Sequence, residues 1–270
     1  MTTPFDILML HVHPIHTFND NFVWLLTHEG SATAAVVDPG EPGPVLATAH
    51  TLGLTLTDLL ITHKHADHIG GIDALKAAFP AIRVHGPANE PIPHNHHPLS
   101  EGDVVTLADL HLSLQVLDVP GHTEGHIAYY ADHAELPRLF CGDTLFSIGC
   151  GRVMSGTFAQ LHDSLLKLRA LPDTTQVYCA HEYTLSNIAF AQRVEPDNAE
   201  LLRYERQCHD RLNHHGDTVP SVLGLEKRCN PFLRFDQPSV LQALANRTNA
   251  PPPDDSYSAF RALRVWKDHG

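Results

Sequence analysis

One stretch constrains this chain more than any other. Residues 58 to 71 read Asp-Leu-Leu-Ile-Thr-His-Lys-His-Ala-Asp-His-Ile-Gly-Gly. An apolar run, Leu59 to Ile61, predicts a buried strand that empties into His63, His65, Asp67 and His68. Gly70 and Gly71 then precede an amphipathic stretch, Ile72 to Phe79, with helical spacing. On an extended chain His63 and His65 point the same way, while Asp67 and His68 sit where the chain turns into the helix and can point elsewhere. Four ligand-type side chains leaving one strand end suit two metals better than one. The chain holds 22 histidines in 270 residues, so such a string arises by chance in roughly one sequence per hundred. A metal site therefore requires that other segments supply more ligands in the same setting.

Three further strand ends do. Leu112 to Val119 alternates apolar and polar positions and runs into Pro120-Gly121-His122; Leu139 to Gly142 leads into Asp143; Val177 to Ala180 leads into His181. Taken singly, His122 or His181 reads as a surface or satisfied core histidine, and Asp143 as a cap. Repetition changes that reading, because strand ends in a sandwich or open sheet lie along a common rim and their ligands converge. Seven residues are collected: His63, His65, Asp67, His68, His122, Asp143 and His181. Imidazole and carboxylate suit Zn, Fe or Mn, and the excess over the three or four ligands one metal needs implies a pair of ions bridged by a carboxylate. Such a pair serves hydrolysis by a shared hydroxide.

The remaining pattern predicts an α/β two-layered sandwich followed by a small helical domain. Residues 7 to 13, 22 to 27 and 33 to 37 read as an antiparallel meander, Pro44 to Gly53 as a helix and 82 to 85 as a strand. Residues 86 to 102, with four prolines and His94-Asn95-His96-His97, have loop composition. Past His181 helical patterns take over at 185 to 194, 198 to 214, 239 to 246 and 257 to 268. A boundary near residue 180 follows, giving domains 1–180 and 181–270.

With 43% hydrophobic residues the chain can bury a full core. It carries no run of 18 apolar residues and no basic, apolar leader, so a cytoplasmic location is expected. Five cysteines without Cys-x-x-Cys spacing read as reduced packing residues. A net charge of -13 argues against nucleic acid or an anionic membrane as partner but leaves room for a small anionic substrate held by local cations. Arg261, Arg264 and Lys267 fall within one broad face of the last predicted helix.

Thr62-His63-Lys64-His65-Ala66-Asp67-His68 resembles the signature of the metallo-β-lactamase superfamily, and the seven ligands match its dinuclear hydrolases. Cys141-Gly142-Asp143-Thr144-Leu145-Phe146, Gly149-Cys150-Gly151-Arg152, Ala180-His181-Glu182-Tyr183-Thr184, Asn230-Pro231-Phe232-Leu233-Arg234 and Lys267-Asp268 are similar to the hydroxyacylglutathione hydrolase (glyoxalase II) family, from about residue 11 to the end. The resemblance implies an αββα sandwich with a helical C-terminal domain that helps bind glutathione. It implies His63, His65 and His122 on the first metal, Asp67, His68 and His181 on the second, and Asp143 bridging them. Two divalent ions, zinc foremost with Fe or Mn as alternatives, are the implied cofactors. Arg152, His181, Tyr183, Arg264 and Lys267 are the implied substrate-binding residues. The implied reaction is hydrolysis of S-(2-hydroxyacyl)glutathione thioesters, chiefly S-D-lactoylglutathione to D-lactate and glutathione, as in methylglyoxal detoxification, by a monomer. Asp67 and Asp143 are its candidate catalytic carboxylates, Asp67 by orienting the hydroxide.

Two departures stand out. Arg152 replaces a lysine common in the family, and Met154 stands where an aromatic residue often contributes to the glutathione site. Two other function classes share parts of the pattern. A single-iron persulfide dioxygenase would use the same sandwich with a two-His-one-carboxylate triad, and a non-catalytic protein could use histidines to sequester metal. The seven-ligand set and the extra helical domain count against the first, and placement of the ligands at four strand ends against the second.

Overall fold

The computed structural model describes residues 10–132 and 136–270. Two compact units divide the chain: residues 10–117 with Tyr129–Asp132, and Asp118–Ala128 with residues 136–270.

The first unit is built on a six-stranded sheet in the order β1-β2-β3-β4-β5-β6. Strands β1 (Leu10–Thr17), β2 (Asn21–His28) and β3 (Thr33–Val37) form the expected antiparallel meander. Residues 7 to 9 of the first expected strand lie outside the described residues. From β3 onward the sheet turns parallel, through β4 (Thr55–Leu60), β5 (Arg83–Pro87) and β6 (His97–Leu99). A parallel neighbour needs a crossover helix, and α1 (Pro42–Leu52) supplies the one between β3 and β4. Pro42 opens it, and Gly53 at φ 65° closes it with a left-handed cap. Ile61, Ile72, Leu75, Val84 and their neighbours on the covered face make one fully buried core.

Loop composition misled at one point. Within residues 86 to 102, β6 pairs Gly86 with Pro98. Because β6 is the sheet's edge, Pro98 removes no donor that a further strand would need, so the proline is tolerated. His97 of this strand stacks on His85 at 4.9 Å, and His94 pairs with Asp73 at 2.8 Å, so these histidines are spent on local contacts.

Past β4 the chain enters a short helical turn, α2 (Ala66–Ile69), and then α3 (Ile72–Ala78). The unit also holds β7 (Val104–Leu107), β8 (Leu112–Asp118) and most of β9 (Ile127–Ala131), a second group of strands in that order.

The second unit carries β10 (Arg138–Gly142), the hairpin β11 (Leu145–Phe146) and β12 (Gly149–Cys150), and helix α4 (Phe158–Arg169). Then come β13 (Gln176–Cys179), parallel to β10, and helices α5 (Thr184–Val194) and α6 (Ala199–His215). Strand β14 (Ser221–Val222) and helices α7 (Leu223–Cys229), α8 (Pro238–Thr248) and α9 (Ser256–His269) complete it. Helix α4 was not expected, although its Thr157/Gln160 capping box is a sequence signal for a helix start. Among the described residues no helix is long and apolar enough to cross a membrane.

Candidate metal centre and substrate cavity

In the first unit the four candidate ligands of the opening stretch stand as the strand-to-helix turn dictates. His63, fully buried, leaves the end of β4 with Nε2 3.0 Å from Nδ1 of His65. Asp67 and His68 come from α2, with His68 Nε2 3.5 Å from Asp67 Oδ2. Outer partners fix the ring. His68 Nδ1 lies 3.0 Å from Oδ2 of buried Asp38, whose two oxygens also accept from the Thr62 hydroxyl and amide at 2.7 and 2.8 Å. With Nδ1–H donated to Asp38, the lone pair of His68 sits on Nε2, on the side of Asp67. The Asn21 amide donates to Asp67 Oδ2 at 2.9 Å.

Backbone packing is just as close. A Cβ on Gly40 would lie 1.8 Å from the Asp67 carbonyl oxygen, so only glycine lets this loop back against the ligand turn.

The second unit places the other three. Asp143, 8% exposed, offers Oδ2 to His122 Nε2 at 3.4 Å and Oδ1 to His181 Nε2 at 3.3 Å. One carboxylate facing two imidazoles with separate oxygens is the arrangement of a bridging ligand. His122 is oriented by its Nδ1–H, which donates to the Arg152 carbonyl at 2.8 Å and leaves the Nε2 lone pair on the side of Asp143. Nothing in the sequence pattern marks the brace under Asp143. Fully buried His126 accepts the Asp143 amide through Nε2 at 3.1 Å, so its proton sits on Nδ1, 3.3 Å from the Thr144 hydroxyl. A Cβ on Gly151 would come 1.9 Å from the Asp143 carbonyl.

These separations fit metal chemistry. Tetrahedral ligands about 2.0–2.1 Å from an ion stand about 3.3 Å from one another. The 3.3 to 3.5 Å gaps between imidazole nitrogens and carboxylate oxygens match that edge.

Beside Asp143 opens a cavity of about 520 Å³ lined by His122, Asp143, Arg152, Tyr183, Arg264 and Lys267, with exposed Met154 at its margin. Tyr183 stacks on the His181 ring at 4.8 Å, and Phe146 meets both edge-on. Arg264, only 2% exposed, donates to the Cys150 carbonyl at 3.0 Å and to Asp268 at 2.9 Å. Lys267 donates to Asn187, and burial, followed by repulsion from Arg264, lowers its ammonium to about 8. Arg261 corrects the expectation of a three-cation face. It is exposed, lies over the Phe158 ring at 5.9 Å and does not line this cavity. The five cysteines are buried free thiols, and burial pushes each upward, so they stay protonated and pack.

The metallo-β-lactamase superfamily model matches residues 16–181, and the model of the hydroxyacylglutathione hydrolase C-terminus matches residues 182–270. A hydroxyacylglutathione hydrolase of Aliivibrio salmonicida is 51% identical over 96% of this chain and 99% of its own length. One of Nitrosomonas europaea is 46% identical over 97% of each chain. Among solved structures, ETHE1 from Myxococcus xanthus is 28% identical with a TM-score of 0.63, over 96% of this chain and all of that one. TTHA1623, solved in a di-iron-bound form, is 28% identical with a TM-score of 0.58, over 82% of this chain and all of that one. The fold is thus the metallo-β-lactamase α/β fold with a helical C-terminal region, as its sequence signature implied.

Proposed function

The chain belongs to the hydroxyacylglutathione hydrolase family of the metallo-β-lactamase superfamily, and we propose that it hydrolyses S-(2-hydroxyacyl)glutathione thioesters, chiefly S-D-lactoylglutathione. One observation carries the reading to this chain's own residues. The cavity that exposes the ligand-type residues His122 and Asp143 also exposes the cations Arg152 and Lys267, so an ester and a carboxylated tripeptide have places in one cavity.

In this reading His63, His65 and His122 hold a first divalent ion, Asp67, His68 and His181 a second, and Asp143 both. Zinc is the proposed metal, with Fe or Mn able to replace it, since nitrogen and oxygen ligands accept all three. Bound there, such a pair would acidify water to a nucleophile and polarise the thioester carbonyl. The protein's own contribution is positional. Asp38, Asn21, His126 and the Arg152 carbonyl fix the ligands' orientation before substrate arrives. Asp67, with one oxygen held by Asn21, orients the attacking water by accepting its proton in a hydrogen bond. Arg152, Arg264 and Lys267 anchor glutathione carboxylates, with the Arg152 fork serving where relatives carry lysine. His181 and Tyr183 face its peptide backbone.

We take residues 1–180 as the catalytic domain and 181–270 as the helical domain that contributes glutathione anchors, a division supported by the two family models meeting between residues 181 and 182. The enzyme is proposed to act as a cytoplasmic monomer on a freely diffusing thioester, without nucleic acid or membrane. Turnover of S-D-lactoylglutathione beside a thioester lacking glutathione tests the substrate class. Equal rates for both would set the glutathione assignment aside.

A further inference from the structure

Glu226 on α7 belongs to no part of the site described so far, yet it is fully buried. Its Oε2 accepts the Ile148 amide at 2.8 Å and the Asn230 side-chain amide at 3.0 Å. Asn230 in turn donates to the Phe146 and Gly149 carbonyls at 3.3 and 2.9 Å. Both residues therefore grip the turn of the β11–β12 hairpin. Two more helices grip it as well: Asn187 of α5 donates to the Ser147 carbonyl at 2.9 Å, and Tyr204 of α6 meets the Ser147 hydroxyl at 3.0 Å.

The turn needs holding. Ile148 sits at φ 57°, a left-handed conformation that is strained for a β-branched residue. Its side chain is buried among Ile188, Leu201 and Tyr204, and its amide is satisfied by Glu226. What the hairpin delivers explains why the strain is retained. Phe146 at one end packs on His181 and Tyr183. Cys150 at the other presents the carbonyl that Arg264 grips, and Arg152 follows two residues later.

We propose that Glu226 is a positioning residue for substrate binding: through Ile148 and Asn230 its carboxylate holds the 145–150 hairpin so that Phe146, the Cys150 carbonyl and Arg152 keep the glutathione cavity in shape. The role rests on the hydrolase reading above and extends it to a residue that touches neither metal nor substrate. Asp143 is braced separately by His126, so loss of Glu226 loosens the cavity and not the ligand carboxylate.

The carboxylate's setting adds a pH signature. Burial pushes Glu226 up to about 7. Among the described residues, the titratable groups that face it are Tyr204 and Cys208 of α6, Cys229 of α7, Cys141 of β10 and Cys179 of β13. All are acids held protonated by burial, so none supplies a compensating positive charge. Ionised Glu226 accepts its two hydrogen bonds more strongly than the protonated acid. The grip therefore tightens, and KM falls, as pH rises through about 7.

Glu226→Ala and Glu226→Gln test this, with KM and kcat for S-D-lactoylglutathione followed from pH 6 to 8, metal content measured on each sample, and Ile148 amide exchange recorded. Glu226→Ala removes both hydrogen bonds that the carboxylate accepts and is expected to raise KM about tenfold or more, with kcat and metal content near wild type. Glu226→Gln keeps a neutral acceptor, so it is expected to retain a protected Ile148 amide while its KM loses the inflection near 7. Unchanged KM with only a lower melting temperature in Glu226→Ala, or an inflection that survives in Glu226→Gln, would overturn the proposal. Wild-type protein that leaves the ester intact would instead defeat the hydrolase reading. The grip is then decided by Ile148 exchange and by calorimetric binding of S-methylglutathione, which Glu226→Ala must weaken if the proposal holds.

Discussion

His68 Nδ1 lies 3.0 Å from Oδ2 of Asp38, thirty residues upstream, and this contact sets which nitrogen of the ring carries the proton. Asp38 itself stands at φ 52° and is 4% exposed, so its position is fixed by the turn after β3 and by Thr62. Asp38→Ala should reduce affinity at the second metal position about 10- to 100-fold, the usual cost of removing an outer partner of a ligating histidine. Metal titration of the apo-protein checks it. Two ions retained with wild-type affinity would remove Asp38 from this role.

Gly40 and Gly151 press against the carbonyls of Asp67 and Asp143. Gly40→Ala and Gly151→Ala should each cost about 1–3 kcal/mol or more of stability, since a backbone segment and not a flexible side chain must yield. Gly43→Ala is the control, for a Cβ there meets nothing within 4 Å. Chemical denaturation of the three variants reads the difference.

Lys267 gives a pH dependence of opposite sign to that of Glu226. Its ammonium is lowered to about 8, so the cation is present below that pH and lost above it. KM for the glutathione ester should rise as pH passes about 8, with little change in kcat on the same limb. Lys267→Met should raise KM about tenfold at pH 7 and abolish the further rise above 8. A KM–pH profile shared by both proteins would contradict the anchor role.

The last helix separates two arginines that its sequence places on one face. Arg261→Ala should leave KM within about twofold of wild type, as a surface change away from the cavity. Arg264→Ala should raise KM and lower stability together, because the buried guanidinium also ties Asp268 and the Cys150 carbonyl to the helix. Matching effects of the two would restore the three-cation face.

The legible and illegible parts of this chain differ for a physical reason. His63 to His68 could be read because strand, turn and ligands are contiguous, and His122, Asp143 and His181 because each ends an apolar run that looks like a strand. Asp38, His126 and Glu226 could not, since each acts on a partner 17 to 78 residues away, and no periodicity marks such a pairing. Arg261 misled because helical spacing fixes an angle about the axis and not which neighbour the face meets; Phe158 met it first. Pro98 misled because proline marks loops generally but is admissible at a sheet edge. Assigning the substrate required the family resemblance, as ligand spacing alone specifies metal-assisted hydrolysis and no acyl donor.

Hydrolysis of S-D-lactoylglutathione by the purified wild type and by His181→Ala, with metal content determined on both, puts the dinuclear thioesterase account to the test. Two ions and rapid turnover are expected in the wild type, and in His181→Ala the loss of one ion together with most of kcat. A wild type that carries two ions and does not cleave the ester, or a His181→Ala protein that cleaves it at the wild-type rate with one, would contradict it.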